Sequence, residues 1–386
     1  MIIERDIFKG IEPFIKSPQA IVITGMRRTG KTTTLKYFYE KIKEDNKIYL
    51  DLENPLNRRL FDKKDYEEIV KNLEFLGLDF NKKPYIFLDE IQLLSSIPSV
   101  VKYMIDHYHV KFFLTGSASF YLKNLFSESL SGRKYIFEIY PLNFKEFLRF
   151  KGYKISIPER ITEEMYLKLK TLYEEYMESG GFPEVVLKET KKEKIMTLED
   201  IFTSFFTMEV ENFADFRRND AMRDLIFLLM ERTGSKLDVQ RISKEIKLSR
   251  PTVYEYISFL EGVYFINRIK PISKGKNTEI RKSPKLYICD TGILNRYVKI
   301  DRGRLFENSI FQILRDKGEL NYYQKKSGVE IDFILNKKYA YEVKLSPYPG
   351  DIAKLEKTSK SLNLKTWQII TLGYIKDKNF IYPFQL

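Results

Sequence analysis

The stretch "AIVITGMRRTGKTTTLKYFYEKI", residues 20–42, decides how the first half of the chain folds. It reads as an apolar strand, a loop and an amphipathic helix. The loop fits G-x-x-x-x-G-K-[ST] from Gly25 to Thr32, a P-loop in the strand-to-helix setting its mechanism requires. Gly25 and Gly30 let the backbone curl so that its N–H groups point inward at phosphate oxygens, a path that a Cβ obstructs. Lys31 is placed to reach the β and γ phosphates and Thr32 to offer a hydroxyl to Mg²⁺, while the helix beginning there turns its positive end to the anion. The expected nucleotide-contacting set is Gly25, Met26, Arg27, Arg28, Thr29, Gly30, Lys31, Thr32 and Thr33. No second glycine separates Arg27 from Arg28, and the pair points either to solvent or toward an anionic partner.

Further along, "KPYIFLDEIQLL" (83–94) places Asp89 and Glu90 at the end of a buried strand, as in a Walker B segment. Asp89 would hold Mg²⁺ through water, and Glu90 is placed to polarise a water attacking the γ phosphate. The plainer alternative is two solvated carboxylates at a strand end. The next strand, "VKFFLTGSAS" (110–119), ends in Thr115, Gly116 and Ser117, small polar groups that either sense the γ phosphate or cap a helix. Arg133, on a loop before another strand, either supplies charge to a transition state or sits in a salt bridge remote from phosphate.

At 386 residues the chain exceeds what one hydrophobic core usually supports, so about two or three domains are expected. With 43% apolar and 15% aromatic residues it can fill packed cores, and no run approaches the roughly 18 apolar residues of a membrane span. Glu4, Arg5 and Asp6 interrupt the place of a secretory signal, so a cytoplasmic protein without a membrane partner is expected. Cys289 is the single cysteine and His107 and His109 the only histidines, which leaves no credible zinc set and points any metal toward oxygen ligands. The net charge of +13 is compatible with polyanion binding, and equally with a lysine-rich surface.

Residues 156–230 are charged and helix-periodic, broken at Gly180, Gly181 and Pro183. "DVQRISKEIKLSRPTVYEYISFLEGVYFINRI" (238–269) then gives two helices around a short turn, with Ser249 as N-cap and Pro251 in the first turn. This is a helix-turn-helix with a β wing starting near Val263. On its second helix Arg250, Thr252, Tyr254 and Ser258 would face nucleic acid, opposed by Glu255. Lys270, Lys274, Lys276, Arg281, Lys282 and Lys285 make a candidate phosphate-tracking loop.

In "GVEIDFILNKKYAYEVKLS" (328–346) the alternation predicts two half-buried strands. A loop at Asn336, Lys337 and Lys338 sets Asp332 opposite Glu342 and Glu330 opposite Lys344. Like charges directly opposite destabilise a ladder, and a divalent cation is the simplest agent to offset them. The alternatives are a solvated polar face, or an ordinary Glu330–Lys344 cross-strand pair.

"ITGMRRTGKTT", "YIFLDEIQ", "LTGSAS", "LSGRKY" before "YPLNFKEF", "GGFPEVV" and "KSPKLYICDTGIL" follow one another as in a family of AAA+-superfamily ATPases of archaea and bacteria, which the chain resembles over nearly its whole length. The resemblance implies an α/β fold: a P-loop NTPase parallel sheet (1–155), a helical linker or lid (156–230), a winged helix-turn-helix (231–285) and a restriction-endonuclease-like α/β domain (286–386). The tail, a helix bearing Glu307 and then D…ExK on paired strands, is similar to the core of such nucleases. That similarity implies Mg²⁺ ligation by Asp332 and Glu342, support from Glu307, and a catalytic Lys344 that polarises water. ATP and Mg²⁺ are the expected cofactors and DNA the expected partner, with homo-oligomerisation open. Two functions follow: an ATPase coupled to DNA binding or metal-dependent cleavage, or a nucleotide-controlled switch whose C-terminal half only binds DNA or a protein.

Overall fold

The computed structural model describes residues 2–116, 130, 132–211, 219–272, 283–325 and 328–386. Ser117, Lys274, Lys276, Arg281 and Lys282 lie outside the described residues. The chain divides into two compact units, Met1–Tyr140 with Gly262–Tyr264, and Pro141–Glu261 with Phe265–Leu386.

The first unit is built on five parallel strands: β1 (Ala20–Thr24), β2 (Lys47–Asp51), β3 (Tyr85–Asp89), β4 (Lys111–Gly116) and β5 (Lys134–Glu138). Their spatial order is β2-β3-β4-β1-β5. Strands β1, β3 and β4 are buried along their full length, as a parallel sheet covered on both faces requires. Val22, Leu88 and Leu114 pack with Leu73, Val100 and Met104 on one face. Ile23, Phe87 and Phe113 pack with Leu35 and Phe38, from the helix Lys31–Lys41, on the other.

Parallel strands end at a common edge, so this order decides what meets there. Thr24 at the end of β1, Gly116 at the end of β4 and Asp89 at the end of β3 lie side by side, with β4 in the middle. Arg133 is at the other edge. Its carbonyl accepts from Ala20 N–H at the start of β1, and its Nε donates to Asp106 Oδ1 at 2.7 Å. Some five residues of strand, roughly 16 Å, separate it from the P-loop of its own chain. Within its own chain Arg133 is therefore the salt-bridge partner of Asp106, the second of the two readings, and charge supplied to a neighbouring chain's nucleotide stays an expectation.

The second unit carries a seven-stranded sheet of order β12-β11-β10-β9-β8-β6-β7. Its strands are β6 (Ile266–Pro271), β7 (Lys285–Ile288), β8 (Leu320–Gln324), β9 (Glu330–Leu335), β10 (Tyr339–Lys344), β11 (Thr366–Thr371) and β12 (Phe380–Ile381). The N-terminal part of β6 pairs antiparallel with β7, and its last two residues pair with β8. One sheet therefore runs through residue 285, from the hairpin into the C-terminal strands. Helices Val239–Glu245 and Arg250–Gly262 precede the hairpin, with Thr252 N–H donating to Ser249 Oγ at 3.3 Å as the sequence anticipates.

Helices Glu163–Ser179 and Lys191–Phe205 pack into this second unit. Tyr173 of the first meets Ser309, on the helix Arg302–Leu314, through a 2.6 Å hydrogen bond. The clasp that organises the region is Asp290. Its Oδ1 accepts from Gly292 and Ile293 N–H at 2.8 and 3.2 Å, and its Oδ2 accepts from Gly181 N–H at 2.7 Å. A Cβ on Gly180 would stand 2.0 Å from Asp290 Oδ1, and one on Gly181 would stand 2.2 Å from the Leu142 carbonyl. The "GGF" and "CDTG" segments are thus two halves of one buried contact.

Candidate nucleotide site and acidic cluster

In the P-loop each glycine serves a different need. A Cβ on Gly25 would lie 2.1 Å from the backbone oxygen of Ile139, so this glycine is dictated by the neighbouring chain as well as by the curl of the loop. Gly30 caps the helix with φ +100°, a conformation that L side chains rarely adopt. The loop is braced from below by the buried Arg5, whose guanidinium donates to Thr29 O at 2.9 Å and to Tyr140 O at 2.8 Å. No motif or spacing in the sequence marks Arg5 for this role.

Lys31 is buried, and its Nζ donates to the carbonyls of Gly25 and Met26 at 3.1 Å each. Met26 is buried with it, Thr32 is half-buried, and Thr33 and Arg28 are exposed. Across β4, Asp89 is only 3% exposed and its two oxygens are held from the two flanking strands. Thr115 Oγ1 donates to Oδ1, and Tyr49 OH donates to Oδ2 at 2.8 Å. Burial, then the charge of Asp89, hold the Tyr49 hydroxyl well above its ordinary pKa, so it stays a donor.

Glu90 takes a left-handed backbone, φ 55°, with its N–H donating to Thr115 Oγ1 at 3.2 Å and its carboxylate accepting from Gln92. A non-glycine residue in that region is uncommon and costs of order 1 kcal/mol or more. It turns the glutamate out of the strand direction that Asp89 follows. Glu53, which no sequence motif marks, joins this group, and its carboxyl is pushed up by burial and by the charge of Glu90, against the pull of Arg27.

The donors here fit a Mg²⁺-nucleotide. An ammonium and a glycine-capped helix N-terminus face the carboxyl edge, and each oxygen of the anchored Asp89 keeps a lone pair for a metal-bound water.

The second cluster lies in the C-terminal sheet. The hairpin ladder pairs Leu335 with Tyr339, Ile334 with Ala340 and Phe333 with Tyr341. Continued, that register sets Asp332 against Glu342. At that point Asp332 Oδ2 accepts from Val343 N–H at 3.0 Å. Glu342 pairs with Lys344 at 3.2 Å, and burial followed by the charge of Asp332 pushes its carboxyl up to about 7. Glu307 is also pushed up to about 7, by burial first and then by Asp332.

Lys344 offsets Glu342, and the charge that offsets Glu307, Glu330 and Asp332 is Lys285. Its Nζ lies 3.2 Å from Glu307 Oε1 and 3.2 Å from Asp332 Oδ1, and it pairs with Glu330 as well. Lys285 is therefore no part of a phosphate-tracking loop: its side chain is 5% exposed and faces inward from β7. Glu330 likewise has Lys285 and Gln324 for partners, in place of a cross-strand pair with Lys344. Glu307 accepts in addition from Tyr287 OH at 2.7 Å. The structure brings Glu307, Asp332, Glu342 and Lys344 into one neighbourhood, yet the residues as they stand do not fit a divalent cation. The Lys285 ammonium already stands among Glu307, Glu330 and Asp332, and among the described residues no group of three metal-ligating side chains is disposed to hold a metal.

Residues 17–148 match the AAA domain family, and residues 170–304 match a domain of unknown function (DUF8612). The first unit thus contains an AAA-type P-loop domain. An uncharacterized protein of Methanocaldococcus jannaschii is 30% identical over 378 residues, covering 93% of this chain and 82% of that protein. An uncharacterized protein of Haemophilus influenzae is 27% identical over 331 residues, covering 82% and 79%. Among solved structures, a Walker-type ATPase of Pyrococcus abyssi aligns over 77% of this chain and 96% of its own, with a TM-score of 0.47 and 15% identity. Among the described residues no helix is long and apolar enough to cross a membrane.

Proposed function

The chain belongs to the family of that Methanocaldococcus jannaschii protein, and we propose that it is an ATP hydrolase whose second unit binds DNA under nucleotide control. The observation that carries the ATPase reading is the Asp89 carboxylate, fixed by Thr115 and Tyr49 at the same sheet edge as the P-loop. Mg²⁺ bound with ATP would neutralise the β and γ phosphates and polarise the bond that breaks. Lys31 would exchange its loop carbonyls for phosphate oxygens, Thr32 and Asp89 would hold the metal, and Glu90 would orient the water and take its proton.

The DNA-binding reading draws its support from the order of elements in the second unit. A helix Asn219–Glu231, a bridge at Lys236, the two helices joined at Ser249 and the β6–β7 hairpin follow one another as in a winged helix. Arg250, Tyr254 and Ser258 are exposed on the second helix. Beyond the hairpin come two helices, the second bearing Glu307, then three antiparallel strands, a helix and a parallel strand, in keeping with the nuclease-like order. The Lys285 ammonium lodged in its acidic cluster favours binding over cleavage.

The test is ATP turnover by the purified chain beside Lys31→Ala and Glu90→Gln, together with duplex-DNA affinity in ATP and in ADP and a cleavage assay with Mg²⁺. Turnover lost in both variants, with DNA affinity that depends on the nucleotide and no cleavage, is the expected result. Metal-dependent cleavage abolished by Asp332→Ala would overturn the binding-only reading, and absence of turnover would overturn the ATPase.

A further inference from the structure

We propose that Lys285 is a built-in counter-cation: its ammonium fills the position that a divalent metal would need among Glu307, Glu330 and Asp332, so that the second unit is complete without a metal. A lysine ammonium has three N–H donors. Here it meets three carboxylates, from the helix Arg302–Leu314 and from strand β9, one for each donor. The remaining side is closed by an aromatic face, with Nζ 5.7 Å from the centre of the Tyr322 ring. The 3.2 Å contacts to Glu307 and Asp332 are ordinary ammonium–carboxylate distances.

The arrangement is built by the backbone. Lys285 pairs with Ile269 of β6 and bridges to Lys236, and Tyr287, two residues along the same face of β7, bonds Glu307. The cation therefore comes from the hairpin strand and the anions from the C-terminal strands and helix. Buried carboxylates this close repel one another unless a positive charge stands between them. The lysine fastens the two parts of the sheet together by the charge that a bound metal would otherwise contribute.

The experiment counts Mn²⁺ bound to the full chain without nucleotide, by equilibrium dialysis and electron paramagnetic resonance, in the native protein, Asp332→Asn and Lys285→Met. Thermal unfolding is followed in Mn²⁺ and in EDTA. The native chain is expected to bind no Mn²⁺ at micromolar concentration and to unfold at the same temperature in both. Lys285→Met, which keeps the length of the side chain and removes its charge, is expected to unfold several degrees lower in EDTA and to recover part of that loss in Mn²⁺, with one bound ion. A native site that Asp332→Asn removes would overturn the proposal. So would a Lys285→Met protein as stable as the native one that takes up no ion. If Lys285→Met fails to fold, the native and Asp332→Asn pair decides alone, and because nucleotide is absent the answer does not depend on ATP hydrolysis.

Discussion

Tyr49 OH donates to Asp89 Oδ2 across 2.8 Å, from the strand that flanks Asp89 on the side away from the P-loop. Thr115 holds the other oxygen from the opposite side. A carboxylate pinned at both oxygens has one orientation, and in the ATPase reading proposed above that orientation would position water around Mg²⁺.

Tyr49→Phe removes one of those pins and little volume. A hydrogen bond to a charged group contributes about 1.5–3 kcal/mol, so ATP turnover should fall roughly tenfold or more. The Mg²⁺ concentration for half-maximal turnover should rise, while the KM for ATP at saturating Mg²⁺ changes little. An unchanged Mg²⁺ dependence would show that Tyr49 only packs.

Nucleotide binding and hydrolysis should separate. Lys31→Ala loses the ammonium assigned above to the phosphates, and Gly25→Ala drives a Cβ to 2.1 Å from the Ile139 oxygen, so both should abolish binding of a fluorescent ATP analogue. Glu90→Gln should bind it normally and turn over ATP at least about 100-fold more slowly. Normal turnover by Glu90→Gln would remove Glu90 from the chemistry.

Asp290→Ala leaves the N–H groups of Gly181, Gly292 and Ile293 without their buried acceptor, which should cost about 3 kcal/mol or more. Trp367 on β11 is the single tryptophan of the chain and lies in the second unit, so its fluorescence during urea unfolding reports that unit. A midpoint equal to that of the native protein would show that Asp290 is no clasp.

Glu342 titrates at about 7 in the folded chain against an ordinary 4.5, through burial and the charge of Asp332. The folded state thus retains a proton that the unfolded chain has released. The stability this confers is fully present below about 4.5 and is lost as pH rises through about 7. Glu342→Gln lacks that titration, so the native protein should lose stability relative to it across this window, read by Trp367 fluorescence. Parallel curves for the two proteins would refute the shift.

The sequence by itself determined what depends on local pattern. An apolar strand, six loop residues bounded by glycines and a following helix are contiguous, so the P-loop of Gly25–Thr32 and the strand ending at Asp89 could be read directly, as could the Ser249 cap and the Asn336–Lys338 turn with its register. Tertiary structure alone decided which distant charges meet. Strand order put Thr115 and Tyr49 on either side of Asp89 and sent Arg133 to the far edge, because parallel strands all end at the same edge whatever their spacing along the chain. The hairpin showed that Asp332 and Glu342 need a cation nearby, and pattern pointed to a metal. The cation at Glu342 is its strand neighbour Lys344, and the one at Asp332 is Lys285, 47 residues earlier, carried there by β6 joining β8 within one sheet. Periodicity records which face of an element is buried; it holds no record of which other element covers that face.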